Sequence, residues 1–396
     1  MEELKSACRV LIVAGEASGD LHGANMIRAA RLLDDGLSFF GAGGSRMAEA
    51  GCEILFPVEE LEVMGIVDVV RHLPVLWGAF RRLKKLLRGP QPPDALVLVD
   101  FQEFNQLLAR QARRAGVPVL FYIGPTVWAW RPGRVKKMAR SVDRLAVIFP
   151  FEPDFYAKER LRVDYVGHPL LDDLTEQRPR RDILAELQLD PRQPVVGLFP
   201  GSRSSELKYN LETLLETARR VRLELPGVQF LLPVAPSIGL ESLRRQVAAA
   251  ALPLRLVRKD IYRVARACDA VLSVSGTVTL QVALTGTPLV IVYKTAPLNY
   301  FIGRLLIKSR HIGLPNIVAG RRIVPEFVQG QATPGPLAEE LLRLLRNEDY
   351  RRAMSEQLTA VRDRMGRAGC SQRVAHLLLG LLGRSSKKEQ DSWNKV

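Results

Sequence analysis

Cysteine is scarce in this chain: the four, Cys8, Cys52, Cys268 and Cys370, stand far apart with no CxxC pair and no neighbouring histidine. That argues against a disulfide framework and a structural zinc site, and leaves reduced structural thiols. No apolar run reaches the ~20 residues of a membrane-spanning helix. The first ten residues, MEELKSACRV, carry acidic residues where a signal peptide carries basic ones, so the protein is expected to stay in the cytoplasm. Aromatic residues are only 7% of the total, and no helix-turn-helix, RRM or OB signature is present, which argues against a nucleic-acid-binding protein. GxGxxG and GxxxxGK[ST] are missing, so neither a dinucleotide fingerprint nor a P-loop is expected. DxD is missing too, and with it the usual paired carboxylates for a nucleotide-bound divalent cation. No cofactor and no metal are expected.

What the chain does have is positive charge. Against 42 Asp+Glu stand 57 Lys+Arg, a net charge of +15. Such a surface attracts polyanions, whether nucleic acid, an anionic membrane face or phosphorylated substrates, and charge alone does not choose among them. With 47% hydrophobic residues the 396-residue chain has ample core, and its length suits two domains of about 150 to 200 residues.

Continuous Val/Ile/Leu runs alternate with helical patterns: CRVLIVAG (8–15), LSFFGAGG (37–44), DALVLVD (94–100), VPVLFYI (117–123) and DRLAVIF (143–149). Unbroken apolar runs suit strands buried on both faces, and their alternation with helices suits a parallel sheet. Charged, proline-bearing sequence follows at 167–194. The rhythm then restarts with PVVGLFPGS (194–202), VQFLLPVA (228–235), LPLRLV (252–257), CDAVLSVSG (268–276) and GTPLVIVY (286–293). The expected fold class is α/β, with two doubly wound Rossmann-like domains facing each other across a cleft. Boundaries are expected at 1–170, 171–345 and 346–396, the last a set of helices and a frayed tail packing back on an N-terminal domain.

Ligands of open α/β sheets bind beyond the carboxyl ends of strands, and four strand ends carry more than a turn. In GEASGD, Gly15 and Gly19 allow close backbone approach. Ser18 or Asp20 can cap a helix starting near Leu21, and Glu16 can bind sugar hydroxyls. In VLVDFQEFN, Asp100 is either a general base or an N-cap, with Glu103 one turn on, and Asn105 is either its partner or an ordinary helix residue. In LFPGSRSSE, free amides behind Gly201, at Ser202 and Arg203, can bind phosphate oxygens, with the Arg203 guanidinium adding a bidentate cation. In VLSVSGTVTLQ, Ser275, Gly276 and Thr277 repeat that logic, and two such turns suggest a diphosphate held by helix dipoles. Outside the strand ends, HLPVLWGAFRRLKKLLRG (72–89) places Val75, Leu76 and Phe80 at helical spacing, with Arg81, Arg82, Lys84, Lys85 and Arg88 between. It reads as a basic amphipathic helix, either lying on an anionic membrane or packing its apolar face on the sheet.

The blocks GEASGDLHGA (15–24), MGIVDVV (64–70), PTVWAWRPGRVKKMAR (125–140), PFEPDFY (150–156), VGHPL (166–170), LFPGSRSSE (198–206), SGTVTL (275–280) and GLPNIVAG (313–320) resemble the lipid-A-disaccharide synthases, in the order found in that family. The resemblance implies a metal-independent, inverting GT-B glycosyltransferase. It would join UDP-2,3-diacylglucosamine to 2,3-diacylglucosamine 1-phosphate (lipid X), giving a β-1,6-linked disaccharide 1-phosphate and UDP, at the cytoplasmic face of the Gram-negative inner membrane. By resemblance Asp100 is the catalytic base, Ser202, Arg203, Ser275, Gly276 and Thr277 hold the diphosphate, and Asn316 lies near the donor. Gly15, Glu16 and Ser18 line the acceptor cleft, and the amphipathic stretch contacts the membrane. Two positions depart from the pattern: Gln281 stands where the family usually has glutamate, and FQE separates Asp100 from Phe104. Other readings on the same fold are a UDP-sugar 2-epimerase and a peptidoglycan-type glycosyltransferase. A homodimer is left open by the sequence.

Overall fold

The computed structural model describes residues 8–58, 66–125, 134–174, 178–297 and 309–384, with Tyr300, Phe301 and Arg304. Its first sheet has seven parallel strands: β1 (Cys8–Ala14), β2 (Leu37–Gly43), β3 (Cys52–Pro57), β4 (Ala95–Val99), β5 (Val119–Tyr122), β6 (Arg144–Val147) and β7 (Arg162–Tyr165), in the order β3-β2-β1-β4-β5-β6-β7. The second has six: β8 (Val195–Phe199), β9 (Gln229–Pro233), β10 (Leu254–Val257), β11 (Ala270–Val274), β12 (Leu289–Tyr293) and β13 (Glu326–Val328), in the order β10-β9-β8-β11-β12-β13. Both are the doubly wound α/β arrangement expected from the apolar runs. Strand order reverses between β1 and β4 in one sheet and between β8 and β11 in the other, the two places where such sheets take ligands. Ile12 of β1 pairs with Gly41 on one side and Val97 on the other, which sets the ends of β1 and β4 side by side.

Central strands are buried on both faces: Val10, Ile12, Leu96, Val97, Leu98, Val196 and Leu272 are inaccessible, and full burial of such a side chain contributes about 1.5–3 kcal/mol. The three strands the apolar runs did not announce, β3, β7 and β13, all lie at sheet edges. Their sequences CEILFP, RVDY and EFV mix charge into short, half-exposed segments, so they lack the signature of double burial.

The chain forms two compact units, one of residues up to Asp172 with those from Arg367 on, the other Asp173–Gly366. The helix Cys370–Leu381 enters the core of the first unit, with Val374, Ala375 and Leu378 buried in the cluster that holds Val10, Ile12 and Tyr122. Its start is capped by Asp172, whose carboxylate accepts from the amides of Gly369 (2.6 Å), Cys370 (3.1 Å) and Ser371 (3.1 Å). The helix Glu348–Arg364 belongs instead to the second unit. Ser355 Oγ donates to the Gly286 carbonyl (2.7 Å) and Arg364 to that of Ala319 (3.0 Å). The chain therefore changes unit after Gly366, not at residue 345. All four cysteines are free and buried. Among the described residues no helix is long and apolar enough to cross a membrane.

Candidate active site

At the first switch point β1 runs out into Gly15 and Glu16, and the helix Ala17–Leu33 begins at once. It starts earlier than Leu21, and neither expected cap serves it: Ser18 is exposed, while Asp20 is buried and accepts from the amides of Gly44 (2.7 Å), Met47 (3.1 Å) and Arg46 (3.2 Å), capping the next helix, Ser45–Glu49. Gly19 sits where the helix passes close to the strand ends, 3.2 Å from the Ala14 methyl to a Cβ built there. At Gly15 a methyl would overlap the Phe101 ring, so only glycine leaves room for that ring.

Beside it β4 ends at Val99, and Asp100 and Phe101 both adopt φ of +49° before the helix Gln102–Arg114. Two successive non-glycine residues in the left-handed region cost about 1–3 kcal/mol each and persist only where the surroundings impose them. Phe101 occupies the N-cap position with no side-chain cap, so Asp100 does not cap the helix. Its carboxyl is pushed up to about 6, chiefly by burial and then by the neighbouring Glu16 charge, against a lowering hydrogen bond from the Phe101 backbone.

A cavity of about 880 Å³ opens here, lined by Glu16, Asp100 and Glu103 and otherwise by Gln102 and apolar side chains, among them Leu76, Trp77, Phe80, Phe101 and Phe104. Such a lining suits a ligand with hydroxyls at one end and hydrocarbon at the other. Asn105 is not part of it: fully buried, it turns its amide to the carbonyls of Val13, Val99 and Asp100.

The basic amphipathic segment lies on the helix Ile66–Leu87. Ala79, Leu83 and Leu87 are buried on the sheet, and Leu76 and Phe80, expected at a membrane, are half-buried and line the cavity, Phe80 edge-on to Phe104 at 5.9 Å. The packing reading therefore holds for the buried face, while Leu73, Val75 and Trp77 stay exposed, as do Arg81, Arg82, Lys85 and Arg88, with Lys84 half-buried. Trp77, absent from the sequence-derived set, stacks on Phe80 at 5.6 Å, with the Arg81 guanidinium 5.4 Å from its ring centre. Its spacing of three residues from Phe80 was the available signal.

At the second switch point Gly201 takes φ of +100° after β8, followed by Ser202, Arg203 and the helix Ser204–Glu224. The Ser202 and Arg203 amides are not free. Glu206 Oε2 accepts from them at 2.8 and 3.2 Å, while its Oε1 accepts from the Arg203 guanidinium at 3.4 Å. After β11, Ser275 donates through Oγ to the Ile312 carbonyl (3.0 Å), and Gly276 stands at the N-cap position of the helix Thr277–Leu284, whose start has no side-chain cap.

These two turns line a cavity of about 490 Å³ with Lys259, Gln281 and Tyr293. Lys259, also missed from sequence, is held 3.1 Å from Glu186, which pairs with Arg178 and Arg263 as well. Gln281 hydrogen-bonds the buried Tyr262 hydroxyl. Asn316 is not at this cavity. Completely buried, it donates to the Val324 carbonyl (2.9 Å) and Glu326 (2.7 Å) and accepts from the Ile323 (2.7 Å) and Val324 (2.9 Å) amides. Those bonds use its full capacity, so the expected direct contact with a donor is not available to it.

A family model for lipid-A-disaccharide synthetase matches residues 10–377. The chain belongs to the lipid-A-disaccharide synthase family. It is 55% identical over 390 residues to the lipid-A-disaccharide synthase of Syntrophotalea carbinolica, covering 98% of this chain and all of the relative. To that of Geobacter sulfurreducens it is 48% identical over 376 residues, covering 95% and 98%. Among solved structures it is similar to a putative UDP-N-acetylglucosamine 2-epimerase of Listeria monocytogenes (TM-score 0.64, 11% identity, 96% and 98% covered) and to MurG of Acinetobacter baumannii (0.56, 16%, 94% and 99%). These likenesses bear on the fold alone, which is that of GT-B enzymes. As a family member the chain is a glycosyltransferase of Gram-negative lipid A biosynthesis. Of the blocks that carried the resemblance, TVWAWRP (126–132) lies outside the described residues, while GEASGD, LFPGSRSSE and SGTVTL frame the two cavities.

Proposed function

We propose that the protein joins UDP-2,3-diacylglucosamine to 2,3-diacylglucosamine 1-phosphate with inversion at the anomeric carbon, giving the β-1,6-linked disaccharide 1-phosphate and UDP. The observation that carries this reading is Asp100: a half-buried, backbone-strained carboxylate with a raised pKa, beside an apolar cavity sized for an acyl chain. A carboxylate titrating near 6 is ionised at neutral pH yet basic enough to take a proton from a hydroxyl. Asp100 accepts the acceptor's 6-hydroxyl proton as that oxygen attacks the donor's anomeric carbon, and the bond to the UDP oxygen breaks on the opposite face.

Glu16 and Glu103 bind the remaining polar groups of the acceptor, and Phe80, Phe104 and Trp77 its acyl chain. In the second unit the uncapped start of Thr277–Leu284, with Ser275 and Gly276, and the side chains of Ser202, Arg203 and Lys259 take the diphosphate and stabilise the charge on departing UDP. Gln281, where the family usually has glutamate, serves the donor by hydrogen bonds that an amide also makes. The exposed Leu73, Val75 and Trp77 with the basic residues from Arg81 to Arg88 rest on an anionic membrane face, where each basic residue contributes about 1 kcal/mol. In this reading the enzyme is peripheral at the cytoplasmic face of the inner membrane, where both acylated substrates reside.

The test is a mixed-micelle assay with both acylated substrates, with and without EDTA, following UDP and disaccharide by mass spectrometry. Disaccharide formation that EDTA leaves unchanged and Asp100→Asn abolishes is expected. UDP release without disaccharide, or conversion of the UDP-sugar in the absence of acceptor, as an epimerase would give, overturns the assignment.

A further inference from the structure

Asn105 lines neither cavity, yet its amide reaches three backbone carbonyls at the first switch point: Asp100 at 2.7 Å, and Val13 and Val99 at 3.4 Å each. Val13 belongs to β1 and Val99 to β4, so a single side chain joins the ends of the two strands to the residue that follows one of them. The amide cannot be turned over, because its oxygen would then face three other oxygens. Its orientation is therefore fixed, although Oδ1 is left buried with no partner among the described residues.

A second contact bears on the same backbone. The Phe101 ring fills the space that a side chain at Gly15 would need. Asp100 and Phe101, both at φ of +49°, thus depend on two features, the Asn105 amide at the carbonyl of one and the space left by Gly15 for the ring of the other. With the Asn105 bond removed, or the ring displaced by a side chain at Gly15, the pair has the ordinary φ < 0 region to relax into, and relaxation at Asp100 swings its carboxylate.

We infer that Asn105 is a positioning residue for Asp100, fixing through the Asp100 carbonyl the direction in which the carboxylate enters the cavity, with Gly15 and Phe101 as the other half of the clamp. The inference rests on the reading of Asp100 as the base. A shift of about 1 Å at a reacting group costs on the order of 100-fold in rate, and the loss falls on turnover, since Asn105 touches no ligand.

The experiment measures kcat, acceptor KM and the pH dependence of kcat/KM for wild type, Asn105→Ala, Asn105→Ser, Gly15→Ala and Asp100→Asn, each normalised to folded protein. Expected for Asn105→Ala is a kcat lower by about 100-fold with acceptor KM changed less than about 3-fold, together with a displaced acid limb. Asn105→Ser, which keeps one donor, recovers part of the rate, and Gly15→Ala reproduces the kcat loss from the opposite side. Wild-type kcat and acid limb in the folded fraction of Asn105→Ala, with Asp100→Asn inactive, overturns the positioning role alone and leaves Asn105 a structural residue. Wild-type turnover in Asp100→Asn overturns the base and this inference together.

Discussion

Asp100 should make the first unit less stable as the pH rises, and replacing it should reveal by how much. Its carboxyl stands at about 6 in the fold against 3.8 for the free side chain, a difference of roughly 2 units, or about 3 kcal/mol at 1.36 kcal/mol per unit. A raised carboxyl pKa means that the folded state binds the proton more tightly than the unfolded one. Below pH 4 both states are protonated and nothing is lost, and between pH 4 and 6 the folded state is progressively penalised. Above pH 7 the full ~3 kcal/mol is missing. The amide introduced by Asp100→Asn cannot ionise, and asparagine tolerates the left-handed region at least as well as aspartate. Any relief of backbone strain therefore adds a constant, and only the pH-dependent part reports the desolvated charge. The assay is urea unfolding of wild type and Asp100→Asn from pH 4 to 8, followed by tryptophan emission. Tryptophan is absent from 173–366, so the second unit contributes nothing to that signal. The stability gain of Asp100→Asn should grow from under about 1 kcal/mol at pH 4 to about 3 kcal/mol at pH 8, while the variant is inactive throughout. A gain that does not change with pH would refute the claim that this carboxylate is desolvated, and with it the physical case for a base poised near neutrality.

Glu206→Gln should tighten UDP binding about tenfold, or 1.4 kcal/mol, in calorimetry, because the Glu206 carboxylate occupies the amides of Ser202 and Arg203 and holds the Arg203 guanidinium. Weaker binding would show it to be a fixed part of the donor site. Replacing Arg81, Arg82, Lys85 and Arg88 with glutamine should cost about 4 kcal/mol of affinity for vesicles rich in anionic lipid, measured by flotation, and unchanged binding removes this helix from the membrane contact. Leu378→Ala, in a side chain fully buried against the first sheet, should destabilise the first unit by about 2–5 kcal/mol on the same tryptophan signal. A loss under about 1 kcal/mol would mean that the C-terminal helix is not part of that core.

The strands at the switch points were legible because they are buried on both faces and so spelled in unbroken Val, Ile and Leu. The ends of β1, β4, β8 and β11 follow from those runs, and with them the two places to look for ligands. What spacing does not reveal is where a polar side chain at such a turn points. Asp20, Asn105, Glu206 and Asn316 all stand within a few residues of a strand end or a family motif, and each is spent on backbone: Asp20 on Gly44 to Met47, Asn105 on three carbonyls, Glu206 on Ser202 and Arg203, Asn316 on 323 and 324. Backbone groups at strand ends and helix starts need partners as urgently as any ligand does, and nothing in a one-dimensional pattern separates the two demands. Asp100 escapes the ambiguity only in three dimensions, where the helix beside it goes without a side-chain cap and its carboxylate reaches the cavity. The polar residues nearest a catalytic carboxylate are therefore to be read first as the scaffold that aims it, and Asn105, which the sequence leaves open between a partner and an ordinary helix residue, is the one on which that distinction can be measured.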